Sequence, residues 1–477
     1  MCENLRELSE SLENIDRNLD ILLLTLNSPE NIITFGNHAG ISADVNINEH
    51  RVILSVENLN FIESENAIGE EGTLYIGDFI FENSFISDCN LTPNRTQFTL
   101  VTNNISYRNN DKTSFNIAIW RKPQQLNRLD SYINDNVNVA FLRFTLYEIN
   151  FTLMCKNDKL FLVADREREE KEFLKYIRGI KLALGFLMCD FMGGTDTFLL
   201  TDENITEIEN FKIFNLVDEQ NLNFNIMIDS LPIVGAKYQN ELNIPTKLSN
   251  EQFVNLCQLI IENPQVETAI HYIAQSANLS VEHKLTFLAV ALEALTGYVG
   301  DNITKERQQV TDSSVPINRL LPTSEFKKLQ NTYEKMLDDY KFNSNMNEQE
   351  INNIKATLKG KFQNSKSNKD SLSQPFELYN ITLSSNDKDM LAKRNRLLHG
   401  KPFDYNNDIQ NDIQIFLNQA YTYYHLLYVL LLKIIGYKGV IFNLKMWERI
   451  LHLSNNLTGQ GTTGEENNNT VGFFLEI

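Results

Sequence analysis

Residues 139–155 read VAFLRFTLYEINFTLMC. Leu142, Phe144 and Leu146 alternate with Arg143 and Thr145, and Ile149, Phe151 and Leu153 alternate with Asn150 and Thr152. A period of two places alternate side chains on opposite faces of an extended chain, so this stretch predicts strands. The same pattern recurs upstream in RVILSVENLNF (51–61), GTLYIGDFIF (72–81), TQFTLVTNNISY (96–107) and SFNIAIW (114–120), and downstream in KLFLVA (159–164). Asn, Asp and Gly clusters separate these segments, as turns require. Residues 32 to 163 therefore predict many short antiparallel strands in a sandwich or barrel-like domain.

Working outward, Leu5–Leu24 predicts an N-terminal helix, and a second, amphipathic helix is expected from about Glu167 to Met188. There Phe173, Ile177, Ile180 and Leu184 recur at helical spacing. Two or three further strands, including FKIFNLV (211–217) and NFNIMI (223–228), precede a boundary near Pro245. Beyond it the pattern is helical. Ser249 is placed to cap NEQFVNLCQLIIENP, and Ser280 to cap VEHKLTFLAVALEALTGY, which is apolar on nearly all sides and belongs at the centre of a bundle. Phe342–Gln374 is polar and reads as a flexible loop around a short helix. Asp387–His399 and Asp408–Ile435 read as helices, residues 454–470 as a low-complexity tail, and VGFFLEI after it as a strand. The expected class is α+β multidomain: a β-rich domain over 1–165, a helix plus strands completing it over 166–245, and an all-α bundle over 246–477.

The formal charge of −19 is unevenly spread. Residues 249–477 hold 22 basic and 25 acidic side chains, which leaves 21 basic and 37 acidic before them, a net of −16. An acidic front half repels polyanions, so chemistry on nucleic acid is expected in the near-neutral rear half. The five cysteines are odd in number and form no CxxC pair, which argues against a disulfide framework or a zinc site. The charged N-terminus lacks an apolar signal core, and the longest apolar run, Tyr423–Ile435, is short for a bilayer and carries His425 and Lys433. A cytoplasmic protein without a cofactor is expected.

The segment SSNDKDMLAKRNRLLHGKPF (384–403) carries the candidate chemistry. Asn386 is a plausible cap, and Gly400 and Pro402 stop the helix. Leu391, Arg394 and Leu398 share one face, so Arg394 interrupts an otherwise apolar stripe; Asn395 lies beside it, and His399 follows Asn395 by four residues. A histidine can take the 2′-hydroxyl proton of RNA or donate one to the leaving 5′-oxygen near neutral pH. A guanidinium can hold the non-bridging phosphate oxygens as charge develops, and an asparagine can orient the imidazole. Such 2′-hydroxyl attack needs no metal. Against this stands a structural reading in which Arg394 caps carbonyls and His399 meets the helix dipole. Glu293, in the apolar helix, is a possible partner of Arg394, although a structural pairing with another group is favoured for it. His271 and His425 read as core or rim residues.

LAKRNRLLHG resembles the R-x4–6-H motif of HEPN ribonucleases, with Asn directly after Arg, and EHKLTFLAVALEALTGY is similar to the central helix of their ApeA-like subgroup. The resemblance covers residues 249–440 through motif and helix order, and 32–245 only through architecture. It implies Arg394 and His399 as catalytic with Asn395 in support, in an endoribonuclease that cuts RNA, tRNA in several members, during abortive anti-phage defence. It also implies paired helical domains and a phage-derived trigger sensed through the N-terminal domain. The competing expectations are a non-catalytic HEPN module binding a nucleotide, RNA or protein, and a scaffold in which the motif is coincidental.

Overall fold

The computed structural model describes residues 5–26, 31–35, 38–48, 51–57, 71–92, 95–102, 104–108, 113–123, 133, 141–192, 195–215, 226–227, 247–310, 323–343, 348–361, 368–398, 409–446 and 474–477. These fall into two compact units, the first running from the N-terminus to Glu262 with Tyr437–Phe442, the second from Asn263 to Gly436 with most of the remaining C-terminal chain.

In the first unit helix α1 (Leu5–Thr25) precedes strands β1 (Asn31–Phe35), β2 (His38–Asn48), β3 (Arg51–Glu57), β4 (Glu71–Ile76), β5 (Phe79–Thr92) and β6 (Arg95–Val101). Their order is β4-β1-β2-β3-β6-β5, and β5 pairs back onto β4, so these six strands close a barrel. Closure leaves no free edge among them. The next strands, β7 (Asn104–Arg108), β8 (Ser114–Arg121), β9 (Phe141–Leu146), β10 (Ile149–Lys156), β11 (Lys159–Glu169), β13 (Thr195–Thr201) and β14 (Ile208–Asn215), form an antiparallel sheet in the order β7-β14-β13-β8-β11-β10-β9. Two short strands, β12 (Asp190–Phe191) and β15 (Ile226–Met227), pair separately.

Strand β5 belongs to both parts. Its first residues, Phe79–Glu82, pair with β7, while Phe85–Thr92 pair with β6. Between them Asn83 takes a positive φ of 51°. Asparagine tolerates that left-handed geometry better than most residues, and here β5 exchanges β7 for β6 on one edge while keeping β4 on the other from Phe79 to Phe85.

The sheet is covered on both faces, which explains why Leu160–Ala164 of β11 are all buried where a half-buried strand would alternate. On one side, Leu8, Leu12, Ile15 and Leu19 of α1 join one apolar cluster with Ile117, Ile119, Phe161 and Val163 and with the barrel residues Phe35, Leu54, Phe81 and Phe98. Lys156 and Lys159 fasten α1 to this hairpin through Glu13 (2.9 Å) and Asp16 (2.6 Å). On the other side lies helix α2 (Glu170–Met188), with Phe173 against Phe115 and Phe198, and helix α3 (Asn250–Glu262), with Phe253 edge-on to Phe144. Gly179 permits the close approach of these helices, because a Cβ there would overlap the side chain of Ile261.

The sequence expectations meet the structure unevenly. The β-rich front and helical rear are present, with the barrel closed and one sheet appended. The helix expected from about Glu167 begins at Glu170, because Arg168 and Glu169 still pair with Phe115 and Ser114 at the end of β11. Ser249 caps α3 in a reciprocal box with Gln252. That helix packs within the first unit, although it follows the Pro245 boundary in sequence.

The second unit comprises α4 (Pro264–Ser276), α5 (Val281–Val310), α6 (Thr323–Asn343), α7 (Glu348–Lys361), α8 (Asn368–Leu378), α9 (Ser385–Leu398) and α10 (Ile409–Ile434). Leu285, Leu288, Ala291, Leu292 and Leu295 make α5 its buried axis. The polar stretch 342–374, expected as loop around a short helix, contains α7 and most of α8. Its Glu, Gln, Lys and Ala residues are good helix formers, and Ile351 supplies a buried anchor. Much of α10 is buried from Tyr423 to Leu432. Among the described residues no helix is long and apolar enough to cross a membrane. Phe474–Glu476 forms a short strand.

Candidate functional site

Helix α9 carries the candidate motif, and its start is built by its own sequence. The cap is Ser384, two residues before the expected Asn386. The Ser384 hydroxyl accepts the Asp387 N–H at 3.2 Å, while the Asp387 carboxylate accepts the Ser384 N–H at 2.8 Å. This is a capping box with aspartate in the third position. Lys445 reaches the same carboxylate oxygen at 2.7 Å. Burial of Asp387 opposes its ionisation, but the hydrogen bonds from Lys445 and Ser384 outweigh it and hold the pKa below the usual carboxylate value. The stability so gained is present above the ordinary aspartate range and is lost as pH falls through the depressed native value. Asp387→Asn is expected to flatten the acid limb of the stability–pH curve, as measured by urea melts at descending pH. An unchanged limb would contradict that assignment.

One turn on, α9 buries a row of residues at i, i+3, i+4 and i+7: Asp387, Met390, Leu391 and Arg394. The Tyr423 hydroxyl of α10 donates to the Met390 carbonyl at 3.0 Å, which ties this row to the buried part of α10. Burial raises the Tyr423 phenol pKa, and the nearby positive charge of Arg394 works the other way.

Arg394 is only 7% exposed at its side chain, and its Nη2 forms an ion pair with Oε1 of Glu293 on α5. The Glu293 side chain is 52% exposed, not buried as the apolar helix around it suggested. The pairing with Arg394, weighed in the sequence as the lesser alternative, is the one formed. The arginine thus crosses apolar packing and delivers its charge to a place that water reaches. Lys388 and Lys393 lie exposed on the outer side of the same helix. Asn395 is within α9, but its side chain, and the whole of His399, lie outside the described residues. The structure therefore brings Arg394 together with Glu293 and Tyr423.

The remaining histidines of interest are core residues. His425 is 4% exposed on α10, and His271 is 8% exposed on α4, with Nε2 3.9 Å from Glu267 one turn earlier. Among the described residues no group of three or more His, Cys, Asp or Glu side chains is arranged to hold a metal ion. Sequence reasoning missed Tyr423 and Lys445. Tyr423 sits in a run of tyrosines with nothing to single it out, and Lys445 lies far from α9 in the chain.

Comparison of the chain with protein-family models, with curated proteins and with solved structures finds no match.

Proposed function

We propose that this chain is a metal-independent endoribonuclease of the HEPN type that cleaves RNA, with tRNA the expected substrate, in anti-phage defence. The observation that carries the proposal is Arg394: a guanidinium set on the inward row of α9, delivered to a solvent-reached carboxylate, five residues before His399. In this mechanism His399 moves the 2′-hydroxyl or 5′-oxygen proton, Arg394 holds the phosphate oxygens as they gain charge, and Asn395 orients one or the other. Two copies pair through the helical unit so that two motifs meet on one phosphate, and the β-rich region receives a phage-derived trigger.

A second reading has a specific observation in its favour. Arg394 is already ion-paired, as an arginine in a non-catalytic binding module would be. One experiment separates them. The purified protein is expected to cut tRNA in the presence of EDTA, to leave 2′,3′-cyclic phosphate ends, and to scatter light as a dimer at concentrations where it cuts. Cleavage that requires divalent metal, or a monomer that cuts, would count against this mechanism.

A further inference from the structure

We infer that Glu293 is a displaceable internal anion, occupying on Arg394 the position that a phosphate group takes. The inference rests on the reading above for its substrate, but not for its chemistry. A carboxylate and a phosphate offer the same thing to a guanidinium: charged oxygen acceptors in its plane. Arg394 is held among buried residues, with Met390 and Leu391 on its own row and Tyr423 nearby on α10. Of the two partners in the ion pair, Glu293 is the more exposed, with 52% of its side chain open against 7% for Arg394. An anion arriving from solvent therefore meets the guanidinium on the side that Glu293 covers, and the two compete for Nη2.

The exposure difference decides which partner yields. Moving the guanidinium would vacate a packed position and move a charge anchored there. Moving the carboxylate requires only a change of side-chain rotamer toward water, where its charge is well solvated. Glu293 thus pairs with Arg394 at rest and departs when a phosphate oxygen replaces it.

The probe is inorganic phosphate, added to the intact protein and followed by thermal shift, with size-exclusion and circular dichroism to verify folding. Glu293→Gln keeps the shape and removes the competing charge. It is expected to bind phosphate about tenfold more tightly than the native protein, equivalent to about 1.4 kcal/mol. Glu293→Asp, which retains charge and solubility but draws the carboxylate back by one methylene, should fall between. Adding Arg394→Gln to Glu293→Gln should abolish the gain. Equal or weaker phosphate binding by folded Glu293→Gln or Glu293→Asp would overturn the inference and make Glu293 an orienting strut. A parallel arm measures cleavage of a tRNA substrate, where release of the carboxylate predicts a lower KM for Glu293→Gln; an unchanged or raised KM also overturns the inference. If phosphate binding tightens but neither protein cuts RNA, the competition stands and the ribonuclease reading falls.

Discussion

Substitution of His399 by alanine is expected to lower RNA cleavage by about 10²- to 10⁴-fold, the range that a positioned proton-transfer group contributes. The same variant should keep its fold, which circular dichroism and a thermal melt check. Arg394 is a poorer probe of chemistry. Its side chain is buried, so Arg394→Ala removes packing along with charge and is expected to lower both activity and stability. Lysine at 394 retains the charge without the planar fork and is the better comparison. Single-turnover cleavage of labelled tRNA, with thermal melts of each variant, separates the two effects. Undiminished cleavage by His399→Ala would remove the histidine from the mechanism and leave the binding-module reading in its place.

The second large effect concerns stability in the first unit. Lys181 of α2 and Asp196 of β13 form an ion pair at 2.6 Å, with side chains 8% and 2% exposed. The ammonium also lies 5.8 Å from the centre of the Trp120 ring. Burial pushes the Asp196 pKa upward, and attraction to Lys181 opposes that rise. Lys181→Met leaves the aspartate alone in a dry place and is expected to cost about 3–5 kcal/mol. The pH dependence has a definite sign. A carboxyl whose native pKa stands above its unfolded value contributes stability at low pH, and that contribution is lost as pH rises through the native value. Lys181→Met should therefore regain part of its deficit in acid, relative to the native protein. Combining it with Asp196→Leu removes both charges and should restore most of the stability. A urea-melt comparison across pH reads all three outcomes, and a Lys181→Met protein as stable as the native chain at neutral pH would refute the assignment.

Much of the fold was legible from local pattern. Most strands announced themselves as short alternating apolar segments between turn residues, and α2 by the helical spacing of Phe173, Ile177, Ile180 and Leu184. What pattern could not convey was closure. Nothing in GTLYIGDFIF distinguishes a strand that pairs on two sides within a sheet from one that closes a barrel, because pairing partners are set by distant register. The charged end of β11 was misplaced for a related reason: EREE favours helix locally, and pairing with Ser114 and Phe115 overrides it. At the candidate site, Arg394 stood out as a charge on an apolar face, and its burial matches that reading. The exposure of Glu293 did not show, since a helix that buries most of its circumference can still leave one position open to water.

The long strand β5 has a consequence for how this region can change over time. Many proteins grow by adding or losing whole modules, each with its edges already sealed. Here the barrel's last strand is also the neighbour of β7, and one apolar cluster takes in residues of α1, the barrel and the sheet together. Removing the barrel would strip β7 of that partner and bare a row of backbone amides and carbonyls. The two parts are therefore inherited as one piece. Variation can accumulate on the barrel's outward positions, but recombination cannot exchange the barrel and leave a soluble sheet behind.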